Sequence, residues 1–117
     1  MEKFMFIFHL GHTDETRQRS PESIQAQMGK WWAWVEKLRK SDVYVSGEPL
    51  QSGGKLVSGK NGNSVTDGPY TEGKEVVGGY FIVKATDYDE AVALAKDYPD
   101  FEYGGSVQVR QVMKMDM

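Results

Sequence analysis

The chain has 117 residues, enough for one hydrophobic core and too few for two. Fourteen Lys and Arg stand against seventeen Asp and Glu, a net charge of −3, with no long basic run, so nucleic acid and anionic membrane surfaces are poor partners. The absence of cysteine excludes disulfides, thiolate nucleophiles and thiolate metal sites together.

Residues 3–10 (KFMFIFHL) predict a strand with two apolar faces: Phe4, Phe6, Phe8 and Leu10 on one, Met5, Ile7 and His9 on the other. A polar break follows. Ser20 is a good N-cap, Pro21 suits the first helical position and Glu22 the positive helix end, so a helix is expected over 21–40. Ile24, Met28, Trp31, Val35 and Leu38 draw its apolar stripe, which Trp34 widens and Trp32 flanks. A second strand begins at Val43 and stops at Gly47-Glu48-Pro49.

Asn61-Gly62 between residues 55–60 and 63–67 signals a hairpin with a two-residue turn, pairing Lys60 with Asn63, Ser58 with Val65 and Leu56 with Asp67. Few of these side chains are large and apolar, which suits a flap rather than core. Asp67-Gly68-Pro69 breaks the chain, and Asp67 is expected to hold that turn, so that its loss would cost on the order of 1–2 kcal/mol. Residues 79–85 form another strand with two apolar faces. Thr86 or Asp87 caps a second helix with the stripe Ala91, Leu94, Ala95 and Tyr98, ended by Pro99, and residues 106–115 close the sheet.

The order is β, α, β, hairpin, β, α, β over a single domain, residues 1–117: an α+β chain of the ferredoxin-like βαββαβ type with an inserted hairpin. Two helices cover one sheet face. The other apolar face calls for a second copy, giving a homodimer in which two sheets close into an α+β barrel. No apolar run approaches the ~20 residues of a membrane span and no signal peptide precedes the first strand, so the expectation is a cytoplasmic protein.

Gly47-Glu48-x-Leu50, Val65-Thr66-Asp67-Gly68-Pro69-Tyr70, Thr71-x-x-Lys74-Glu75, Gly78-Gly79-Tyr80-Phe81, Asp89-Glu90-Ala91 and Gly104-Gly105-Ser106-Val107-x-Val109-Arg110 resemble the YCII-related family in its DGPF-domain branch, with Tyr70 where that branch usually has Phe. The resemblance implies the dimeric barrel, and its members are often found near extracytoplasmic-function sigma factors. In another branch, similar to muconolactone-isomerase-type barrels, a His–Asp pair has been proposed as acid and base. The comparable stretch here, Pro21-Glu22-Ser23-Ile24, has no histidine.

Two readings of function follow from the residues themselves. One is a small-molecule-binding, regulatory dimer with a pocket lined by Trp34, Tyr70 and Phe81 and Trp31 left to the core; Glu48, at a strand end, could face the same cleft. The other is a proton-transfer enzyme (isomerase, lyase or dehalogenase) acting on a small, partly aromatic acid in the barrel cleft, in which His9 or Asp67 is the base and Arg110 holds the substrate carboxylate. Two histidines and scattered acids do not make a metal site, and the glycine pairs fit neither phosphate-loop nor dinucleotide spacing, so neither metal nor cofactor is expected.

Overall fold

The computed structural model describes residues 1–11, 20–68 and 76–115. Strand β1 (Glu2–His9) lies between β5 (Val77–Ala85) and β6 (Ser106–Gln111), and β2 (Tyr44–Pro49) completes an antiparallel sheet of order β2-β5-β1-β6. Helices α1 (Pro21–Lys40) and α2 (Tyr88–Ala95) pack on the face that carries Phe4, Phe6, Phe8, Phe81 and Val83. The α+β architecture expected from the sequence is therefore the one observed. The molecule is 19 Å thick in its shortest direction, the depth of one sheet and one helix layer, each about 10 Å.

Both helix starts are set by local chemistry. Ser20 accepts from the Ser23 N–H at 3.1 Å, with Pro21 behind it. Asp87 accepts from the Glu90 N–H at 2.9 Å, while the Glu90 carboxylate accepts from the Thr86 hydroxyl at 2.6 Å. Helix α2 ends at Ala95, before Pro99, which instead opens a 3-10 turn, Pro99–Tyr103. β6 likewise stops at Gln111, leaving Met113 and Met115 exposed.

The inner stripe of α1 differs from the one drawn by hydrophobicity. Trp34, Val35 and Leu38 are buried, but Ile24 and Met28 are exposed, and the buried residue of the first turns is Gln27. Its amide donates to the Pro99 carbonyl at 2.7 Å and to Asp100 Oδ1 at 2.6 Å, tying the helix to the 3-10 turn. Gln27→Leu removes the donor and strands a carbonyl and a carboxylate, so urea unfolding should show a loss of about 1–3 kcal/mol.

The hairpin of β3 (Lys55–Ser58) and β4 (Ser64–Asp67) stands apart as a sheet of its own, with every residue exposed. Its register is one residue off the expected one: Val57 pairs with Val65 and Ser58 with Ser64. Gly59, Asn61 and Gly62 all take positive φ (84°, 60° and 69°), which lengthens the turn beyond two residues. The slip exchanges faces and sets Val57 and Val65 together beside Lys55 and Asp67. A two-stranded ribbon with no core of its own contributes little to the body of the fold. Replacing residues 55–67 by a short Gly/Ser link should leave the far-UV spectrum of the main sheet and helices and a cooperative melt; loss of either would show the hairpin to be core.

Candidate functional site

The sheet divides the sequence-predicted site residues into two groups. Trp34 and Phe81, expected in a ligand cleft, lie inside the core under the helices. Trp34 is 3 % exposed, its indole N–H donates to the Leu94 carbonyl at 3.1 Å, and its ring sits 5.0 Å from that of Phe81. Trp31 packs partly buried against the same cluster, and Trp32 is exposed on the flank. Trp34 falls inward because a helix turns ~100° per residue and the axis of α1 lies over Phe6 and Phe8, whose rings it meets at 6.1 and 5.7 Å.

His9, Glu48 and Arg110 instead occupy the opposite, open face. Strand alternation sends Met5, Ile7 and His9 there when Phe4, Phe6 and Phe8 face the helices, and register carries the pattern across the sheet. Glu48, Tyr80, Ile7 and Gln108 form one transverse row, each directly paired with the next. Ser46, Ile82, Met5 and Arg110 form the next row, and Lys84 and Lys3 the one beyond. Tyr80, Gln108, Lys3 and Lys84 did not stand out in the sequence, although the period-two alternation of β1 and β5 assigns three of them to this side.

His9 ends β1 opposite a bulge: Phe8 pairs with Gly79 and His9 with Val77, leaving Gly78 as the extra residue. Gly79 has φ 156°, and a Cβ there would come within 2.7 Å of the Glu48 carbonyl, so the close approach of β2 at this point requires glycine. The His9 Nε2 lies 3.2 Å from Gln108 Oε1 and donates to it in the Nε2–H tautomer. Among the described residues, the open face thus combines apolar floor (Met5, Ile7, Ile82), a phenol, an imidazole held by an amide, one carboxylate and three cations.

Asp67 is not brought to His9. It ends β4, 87 % exposed, and pairs with Lys55 across the hairpin. The turn-holding role expected of it involved Pro69, which lies outside the described residues, as do Tyr70 and His12. An exposed ion pair of this kind contributes about 0–1 kcal/mol, so Asp67→Asn and Asp67→Ala should each shift the urea midpoint by less than the cap estimate implies. On the covered side, the Tyr98 hydroxyl is buried without a hydrogen-bond partner among the described residues, and burial with the nearby Asp100 charge holds its phenol well above the usual tyrosine range. No cluster of acids and histidines among the described residues is arranged to hold a metal ion, and no described helix is long and apolar enough to cross a membrane.

The YCII-related domain profile matches residues 5–116. Among solved structures, the chain is similar to the 5-chloro-2-hydroxyhydroquinone dehydrochlorinase of Burkholderia phenoliruptrix AC1100 in complex with 2,5-dihydroxybenzoquinone, at 18 % identity over 95 % of this chain and 93 % of that one, with a TM-score of 0.49. No curated protein matches the sequence.

Proposed function

The chain belongs to the YCII-related domain family, and on that premise we propose that it is a homodimeric α+β barrel protein that binds a small molecule between the open faces of two sheets. The observation that carries this reading is the composition of that face: Met5, Ile7 and Ile82 give a partly buried apolar floor, and Tyr80, Gln108, His9, Glu48 and Arg110 share its side of the sheet. Both helices lie on the other side, so among the described residues of a lone chain nothing is packed over this floor, whereas a second copy would enclose it. Apolar walls with a few placed polar groups are what small-ligand sites consist of. The DGPF-domain branch, a cytoplasmic location and a regulatory role belong to the same proposal, and Tyr70 stays in it as a candidate ligand contact.

Light scattering at micromolar concentration tests the assembly. Two chains per particle are expected, and one chain per particle would remove the enclosed site. A thermal-shift screen of small aromatic and carboxylic compounds tests binding, since a ligand present at a hundred times its Kd stabilises the native state by about 2.7 kcal/mol.

The placement of His9 favours a second reading, a proton-transfer enzyme of isomerase, lyase or dehalogenase type. An imidazole on the open face, oriented through Gln108, would serve as the proton-transfer group, with Arg110 holding a substrate carboxylate. Turnover of any compound found in the screen, abolished by His9→Gln while binding persists, would favour the enzyme over the binding protein.

A further inference from the structure

Lys3 and Lys84 are direct partners across β1 and β5. Their side chains share the open face, because Phe4, Val83 and Ala85 on either side are buried toward the helices. Directly paired residues in an antiparallel sheet have Cβ atoms about 4.5–5.5 Å apart, and like charges so placed destabilise the pairing. No described carboxylate neutralises them: the ion pairs of the described residues use Lys30, Lys37, Lys55 and Lys114. Arg110, opposite Met5 in the next row, lies diagonally from Lys3 at about 7–8 Å and is also outside those ion pairs.

The open face is cationic at this end although the molecule is acidic overall, with 14 Lys and Arg against 17 Asp and Glu. Among the described residues, Glu48 is the one carboxylate at the strand positions that share this face, and it pairs with Tyr80, four residues along β5 from Lys84. That separation is about 13 Å along the strand, beyond the ~8 Å screening length at physiological salt, so Glu48 does not offset the lysines. Beside the three cations lies a directly paired apolar couple, Met5 and Ile82.

We propose that Lys3, Lys84 and Arg110 form an anion-binding site, and that the ligand of the open face is a small organic acid whose carboxylate they hold while its apolar body lies over Met5 and Ile82. Arg110 offers a planar, bidentate fork for a carboxylate, and the two ammonium groups supply point charge around it. The inference rests on the small-molecule reading and names the class of ligand. It has a consequence without any ligand: the uncompensated lysine pair costs stability until an anion arrives, so removing one charge stabilises the empty protein and weakens the loaded one.

Thermal unfolding of the full chain in benzoate, benzamide or inorganic phosphate, at ionic strength matched with sodium chloride, tests this. Benzoate should raise the wild-type Tm by a few degrees, and benzamide and phosphate by clearly less. Lys84→Gln should melt higher than wild type without additive, lose most of the benzoate shift and bind benzoate about tenfold or more weakly by calorimetry. Lys84→Arg should keep the benzoate shift. Equal shifts with benzoate and benzamide would overturn the anion site while leaving small-molecule binding in place. Phosphate equal to benzoate would overturn the role of the apolar body. A benzoate response unchanged in Lys84→Gln, or a Lys84→Gln protein that melts lower than wild type, would overturn the assignment of the lysines. No response to any of the three would overturn the organic-acid ligand, and small-molecule binding would then stand or fall on the uncharged compounds of the screen.

Discussion

Phe8→Ala should destabilise the chain by about 3–5 kcal/mol and lower its melting temperature by on the order of 10–20 °C. Phe8 is 4 % exposed and is the point where the sheet meets α1 and the short link that follows α2. Its ring stacks on Tyr98 at 5.3 Å, meets Trp31 and Phe81 edge-on at 5.1 and 4.9 Å, and touches the Trp34 ring at 5.7 Å. Truncation therefore removes the apolar burial and several aromatic contacts at once, each pair contributing about 0.5–1.5 kcal/mol beyond its area. Against a total stability of about 5–15 kcal/mol for a domain of this size, the loss is a large fraction. Phe8→Leu fills most of the volume and should retain more than half of the lost stability in urea titration. A Phe8→Ala protein within 1 kcal/mol of wild type would mean that this cluster is not the core.

The parts of this architecture that are legible in the sequence are those decided within a few residues. Ser20 and Asp87 cap the helices because their side chains reach an N–H three residues on, and the Phe4-Phe6-Phe8 alternation needs no partner strand to be seen. The missed features depend on contacts far along the chain. Gln27 lies on the polar side of any hydrophobicity rule, and only the arrival of Pro99 and Asp100, more than seventy residues later, gives it a reason to be buried. Trp31 and Trp34 share one stripe, and which of them goes deeper is set by where the helix axis crosses the sheet. The hairpin slip came from backbone angles at Gly59 and Asn61 that the Asn-Gly signal does not specify. The candidate site was half legible for the same reason: His9, Glu48 and Arg110 stood out as single residues, whereas the rows joining them to Tyr80, Gln108, Lys3 and Lys84 exist only once register is known.

Ile7→Asp, one residue from Phe8 on the same strand, should have the opposite signature: a folded chain that no longer pairs. Ile7 points to the open face, between Tyr80 on β5 and Gln108 on β6, near the middle of the floor proposed to meet a second copy. In a lone chain an aspartate there reaches water, so the far-UV spectrum and a cooperative melt should persist. In the proposed dimer it would be enclosed away from water beside Tyr80 and Gln108, and symmetry would enclose it twice. Burying an unpaired carboxylate costs several kcal/mol, which is at least a hundredfold in dimer Kd. Light scattering at micromolar concentration should then change from two chains per particle to one. Phe8→Asp, with its charge directed into the aromatic core, should unfold instead, and this contrast between neighbouring positions separates loss of assembly from loss of fold. Two chains per particle for Ile7→Asp at the same concentration would place the interface elsewhere, and an unfolded Ile7→Asp chain would mean that the open face is covered within the monomer.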